Sequence, residues 1–143
     1  MDNFTNKIDF LKSIGSNNIL HSGQNLLDHL IGTSNKLKDL GEPEYLQDAG
    51  LFHSVYGTVY FLPEDGLVDD RQTIKNIIGE KAEELAYWFC ILEKPRIDNI
   101  LKIKNTQLRE DLLKLNQANL DDIATSNTMS LKEAYGIGIK RLP

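Results

Sequence analysis

One cysteine among 143 residues cannot close a disulfide within the chain. That residue, Cys90, stands in the apolar run Ala86-Tyr-Trp-Phe-Cys-Ile-Leu92, where a free thiol reads as a small buried hydrophobe in a reducing compartment. Long hydrophobic runs are missing as well. No segment approaches the roughly 18 apolar residues of a membrane span, and Met1-Asp-Asn-Phe-Thr-Asn-Lys7 has neither the basic start nor the apolar stretch of a secretory signal. The expectation is a cytoplasmic protein with no membrane partner. Positive charge is outnumbered: 16 Lys and Arg face 21 Asp and Glu, for a formal net charge of −5, so no nucleic-acid footprint is expected. A small molecule or another protein is left as the partner class. No convincing alternation of apolar and polar residues occurs, which argues against a sheet.

What the chain does have is helical periodicity, and its length suits one domain over 1–143 with a core at about 22–123. Phe4, Ile8, Leu11 and Ile14 predict a short first helix stopped by Gly15. A second helix is expected from near Gln24 to about Leu40, with Leu26, Leu30, Leu37 and Leu40 as its stripe. Gly41 closes it, and Pro43 opens a third helix whose stripe is Leu46, Ala49 and His53. A loop through Pro63-Glu-Asp-Gly66 follows His53 and is placed to wall a pocket beside it. Asp69 or Asp70 can cap a helix from Arg71 that Gly79 ends, and an apolar helix runs from Glu80 to Ile91. Arg96 to Lys104 reads as a loop or short helical turn. The last long helix, about Thr106 to Ile123, carries Leu108, Leu112 and Leu115, and the tail from Met129 to Pro143 is expected to dock on the body.

Histidine occurs three times, in His21-Ser-Gly-Gln-Asn-Leu-Leu-Asp-His29 and Ala49-Gly-Leu-Phe-His53-Ser-Val-Tyr-Gly-Thr58. His29 has Leu26 one turn before it and Gly32 and Thr33 one turn after, while Gly50 stands three residues before His53. A single histidine of this kind is more often a core residue bonded to a carbonyl. Two of them flanked by small residues predict a shared pocket. Asn119 falls on the buried stripe of the last helix, so it must face a ligand, a histidine, water or a loop backbone to be satisfied.

This arrangement resembles the HD superfamily of all-helical, metal-dependent phosphohydrolases, and within it the hydrolase domain of the guanosine-polyphosphate hydrolases. The residues that carry the likeness are Ser22-Gly23, His29, Ala49-Gly-Leu-Phe-His53, the helical stretch around Gly79 and Ala118-Asn119. The resemblance implies an all-α, HD-like helical bundle. The chain departs from that pattern where it matters for metal: Ser54 replaces the aspartate after the second histidine, Asn119 replaces the late aspartate, and Tyr56-Gly57 stands where the acidic pair belongs. It also looks like a member of an uncharacterised HD-like family in which His-Ser-Gly, Asp-His-Leu and Leu-Phe-His-Ser-x-Tyr-Gly-Thr occur together, which makes Ser54 a family feature.

Two readings follow. In the leading one no metal is bound, and His29, His53, Ser54, Tyr56 and Asn119 form a neutral pocket for a small polar ligand, phosphate-bearing ones included. That pocket acts as a sensor or as an acid/base catalyst working through a histidine. In the other, His21 joins His29 and His53 in a three-imidazole site suited to zinc or iron, activating water for hydrolysis or oxygen on iron. Asp28 and Asp48 are the carboxylates nearest the histidines in sequence, and Asp28 projects away from His29 toward solvent.

Overall fold

The computed structural model describes residues 3–14, 20–21, 24–56 and 71–125, with the side chains of Leu20, His21 and Gln24 excluded. Among these residues the fold is all-α. Seven helices run in chain order: α1 (Asn3–Ser13), α2 (Leu26–Asp39), α3 (Glu44–Leu51), α4 (Arg71–Ile78), α5 (Glu80–Ile91), α6 (Arg96–Leu101) and α7 (Thr106–Thr125). The single ladder among the described residues is a two-residue antiparallel pair, β1 (Leu20–His21) with β2 (Gln24–Asn25), in the register Leu20 to Asn25 and His21 to Gln24. It was not expected from the sequence, because two residues are too few to show an alternating pattern. The anticipated cap of α4, the loop through Pro63 and the docking of the tail lie outside the described residues. No described helix is long and apolar enough to cross a membrane.

Local chemistry sets the helix ends. Asn25 caps α2 by accepting from the Asp28 amide at 3.2 Å. At the other end Gly41, at φ +76°, lets its own amide reach the Lys38 carbonyl and the Glu42 amide reach the Leu37 carbonyl, a Schellman closure. This closure turns Leu40 outward, leaving it 70% exposed rather than on the buried stripe. The first helix also differs from its expected stripe. Phe4 is exposed and Lys7 is buried with Leu11 and Ile14, because Asp48 on α3 offers Lys7 a carboxylate at 2.9 and 3.0 Å. The stretch after Pro95 forms the short helix α6, whose Arg96 folds back over the Phe89 ring and donates from Nε to the Phe89 carbonyl. A cation there satisfies a carbonyl at the end of α5. Burial nevertheless pushes the Arg96 guanidinium down to about 10.

Two apolar clusters fill the interior. One gathers Leu11, Leu26, Leu30, Phe52 and Ile74 between α1, α2 and α4. The other gathers Leu37, Leu46, Leu85, Phe89, Leu112 and Leu115 between α2, α3, α5 and α7. Each fully buried leucine contributes about 1.5–3 kcal/mol, so these clusters rather than polar contacts hold the bundle together. The two histidines lie at the seam: His53 follows Phe52 of the first cluster in the chain and packs edge-on against Phe89 of the second.

Candidate functional site

His29 sits one turn into α2 with no exposed surface. Its Nδ1 lies 2.7 Å from Asp122 Oδ2 and its Nε2 lies 2.7 Å from the Asn119 side-chain amide, each within hydrogen-bond distance. Asn119 and Asp122 are three residues apart on α7, so both project from one face of that helix. Both ring nitrogens of His29 are thereby engaged by side chains of one helix. The approach of α7 requires Gly32. A Cβ there would stand 2.0 Å from Asp122 Oδ1, inside any allowed contact.

His53 was expected within the third helix, but α3 ends at Leu51 and His53 follows in the turn. Its Nδ1–H donates to the Gly50 carbonyl at 2.6 Å, which gives that carbonyl near the helix end a partner. The ring stands edge-on to His29, with centroids 5.1 Å apart at 86°. Gly50 keeps α3 close to α2, since a Cβ on it would meet Leu37 Cδ1 at 2.8 Å. From α5, the Cys90 thiol donates to the His53 carbonyl at 3.2 Å, and burial pushes that thiol up to about 11. The structure therefore brings His29, His53 and Asn119 together on α2, the α3 turn and α7. Ser54 is buried beside His53, and the His21 side chain lies outside the described residues.

Tyr56 is engaged elsewhere, because its hydroxyl donates to Glu83 on α5. Glu83 is fully buried and also accepts from Arg71 Nε at 2.7 Å and Nη2 at 2.8 Å, while the guanidinium lies 3.7 Å over the Tyr87 ring. Burial pushes the Glu83 carboxyl up, but the hydrogen bonds from Arg71 and Tyr56 and the Arg71 charge outweigh it and hold the group below its ordinary value.

Sequence reasoning missed Asp122 and Glu83. Asp122 had one available signal, its place one turn beyond Asn119 on the same face. Asp28 is exposed and Asp48 is paired with Lys7, so the carboxylate that orients His29 is neither of the nearby ones. Both His29 nitrogens are engaged by α7 side chains, and among the described residues no three His, Cys, Asp or Glu side chains are grouped to hold a metal ion.

Two cavities have fully described walls. A cleft of about 180 Å³ lies between α4 and α5 beside Arg71, Tyr87 and Trp88. A basin of about 890 Å³ is shared by α1, α2 and α3, with Lys7, Ser34 and Asp48 among its lining residues. Neither is lined by a histidine.

Residues 10–94, more than half of the chain, match the domain of unknown function DUF6817. The chain belongs to this family. The DUF6817 stretch contains all three histidines, Tyr56, Arg71 and Glu83, and stops before α7 with Asn119 and Asp122. No curated protein and no solved structure matches the chain.

Proposed function

We propose that this chain is a binding domain for a small polar ligand, built on an HD-like helical scaffold in which a protein network stands in place of the metal centre. The observation that carries this reading is the engagement of both His29 ring nitrogens by Asn119 and Asp122 at 2.7 Å. An imidazole binds a cation through a ring nitrogen, and each nitrogen of His29 would have to give up a side-chain partner to do so. Support for the HD-like scaffold comes from the sequence order Ser22-Gly23, His29, His53, Ala118-Asn119 and from the mutual packing of α2, α3 and α7, which gathers His29, His53 and Asn119. With His29 at 0% and His53 at 2% exposure, the ligand's seat moves from the histidines to the basin on the same two helices. The volume of that basin is in the range of small-molecule sites. The histidine network then acts as a rigid frame behind the ligand. The net charge of −5 favours a small polar molecule over nucleic acid, and a cytoplasmic protein is part of the same reading.

A metal-dependent hydrolase using His21, His29 and His53 is the second reading, and Asp122 is what favours it. That residue returns to the centre a carboxylate missing at positions 54 and 119. Elemental analysis of the full chain, purified without chelator and again after incubation with zinc or ferrous iron, separates the two. The expected result is no stoichiometric metal, together with a rise in Tm for at least one compound in a panel of small polar molecules. Stoichiometric metal that His21→Ala abolishes would establish the second reading. A panel that leaves the melting curve unmoved would remove the first.

A further inference from the structure

The charges around the basin are balanced and divided between its walls. Lys38 reaches it from α2, Glu44 from α3, and the Lys7–Asp48 ion pair spans from α1 to α3. Lys7 is bound by both oxygens of Asp48, and its distance to Glu44 is 3.8 Å, so Glu44, 76% exposed, is held loosely. Lys38 makes no ion pair among the described residues. Two opposite charges therefore remain open to a ligand, one on each of two neighbouring helices. Ser34 adds a polar group to the same wall. It is only 8% exposed, it lines the basin, and its hydroxyl has no hydrogen-bond partner among the described residues. No side-chain polar atom among the described residues is both fully buried and unpartnered, so this hydroxyl meets water in the basin and can exchange that water for a ligand group. The Phe4 ring, 45% exposed on α1, gives the same space an apolar wall.

A wholly anionic ligand would meet Glu44 and a wholly cationic one would meet Lys38. A zwitterion meets each with the opposite charge. We propose that the basin binds an amino-acid-like zwitterion with an apolar side chain: its carboxylate faces Lys38 and the Ser34 hydroxyl, its ammonium faces Glu44, and its side chain lies on Phe4. This inference deepens the small-ligand reading and rests on it.

The test is titration calorimetry of the full chain with L-phenylalanine and L-leucine, alongside phenethylamine and 3-phenylpropionate, which each keep one charge. The amino acids are expected to bind, and the single-charge analogues to bind at least about tenfold more weakly, the equivalent of one lost polar contact. Lys38→Ala and Glu44→Gln alter exposed side chains and leave the fold in place, and each is expected to weaken phenylalanine about fivefold to tenfold. Ser34→Ala is expected to weaken it less. If neither amino acid binds up to about 10 mM, weaker than ordinary ligand affinities, the zwitterion proposal is overturned. The small-ligand reading survives that result if another polar compound raises Tm, and falls with it if none does. Binding that is indifferent to both charge variants would place the seat elsewhere and overturn the proposal too.

Discussion

Oxygen Oδ1 of Asp122 lies where a side chain at Gly32 would be: an added Cβ would stand 2.0 Å from it. The contact of α2 with α7, and with it the Asp122 bond to His29, depends on the absence of one methyl group.

Gly32→Ala is therefore expected to destabilise the protein, although alanine is intrinsically the better helix former by about 1 kcal/mol. The methyl group forces Asp122 away, so overpacking of about 1–3 kcal/mol adds to the loss of a charge-assisted bond worth about 1.5–3 kcal/mol. A net loss of roughly 2–4 kcal/mol should appear as a lower midpoint in urea unfolding. A variant more stable than wild type would mean that α7 does not approach α2 as described.

The helices are legible in the sequence because their apolar residues recur every three to four positions and because Gly41 and Gly79 stand where positive φ is needed, at +76° and +88°. His29, His53 and Asn119 are legible as interior residues for the same reason. Asp122 is not, since Asp121 and Asp122 end an amphipathic helix, where a carboxylate pair reads as solvated charge. Lys7 fails in the same way. Only tertiary partners from other helices, Asp48 for Lys7 and His29 for Asp122, make these charges interior ones. Burying a charge depends on what comes to meet it, and periodicity along one helix holds no information about that.

Glu83 should set the acid limb of stability. Its folded-state value is depressed, so its contribution is present in full above the ordinary value of 4.5 and is lost as the pH falls through the folded-state value. Glu83→Gln is expected to lose roughly 2 kcal/mol at neutral pH, discounted because Arg71 is 37% exposed, and much less in acid. Unfolding midpoints from about pH 3 to about pH 7, a range that brackets an ordinary glutamate, measure this. Wild-type and variant curves that stay parallel across that range would contradict it.

Cys90 should be slow to alkylate in the native state. Its thiol donates to the His53 carbonyl, and burial raises it to about 11, so little thiolate exists near neutral pH. Iodoacetamide labelling followed by mass spectrometry should be at least about tenfold slower than for the urea-unfolded chain, whose thiol has an ordinary value near 8.5. Equal rates would show that the thiol is open to solvent and the bond to His53 absent.

The Lys7–Asp48 pair should be replaceable for stability. Burial pushes the Asp48 carboxyl above its ordinary value of 3.8, and the hydrogen bonds and charge of Lys7 offset only part of that. A raised folded-state value means that the favourable contribution is complete below 3.8 and is lost as the pH rises through the folded-state value, so at neutral pH the charged pair carries a net cost. Lys7→Met alone leaves a buried carboxylate without its partner and is expected to lose about 3 kcal/mol. Adding Asp48→Leu removes that charge, and the double variant should return to within about 1 kcal/mol of wild type or exceed it. Urea unfolding of the two single variants and the double variant gives the coupling directly. A double variant that keeps its stability would show that the pair is not what holds α1 against α3. A double variant as unstable as Lys7→Met would show instead that the ion pair itself holds α1 against α3.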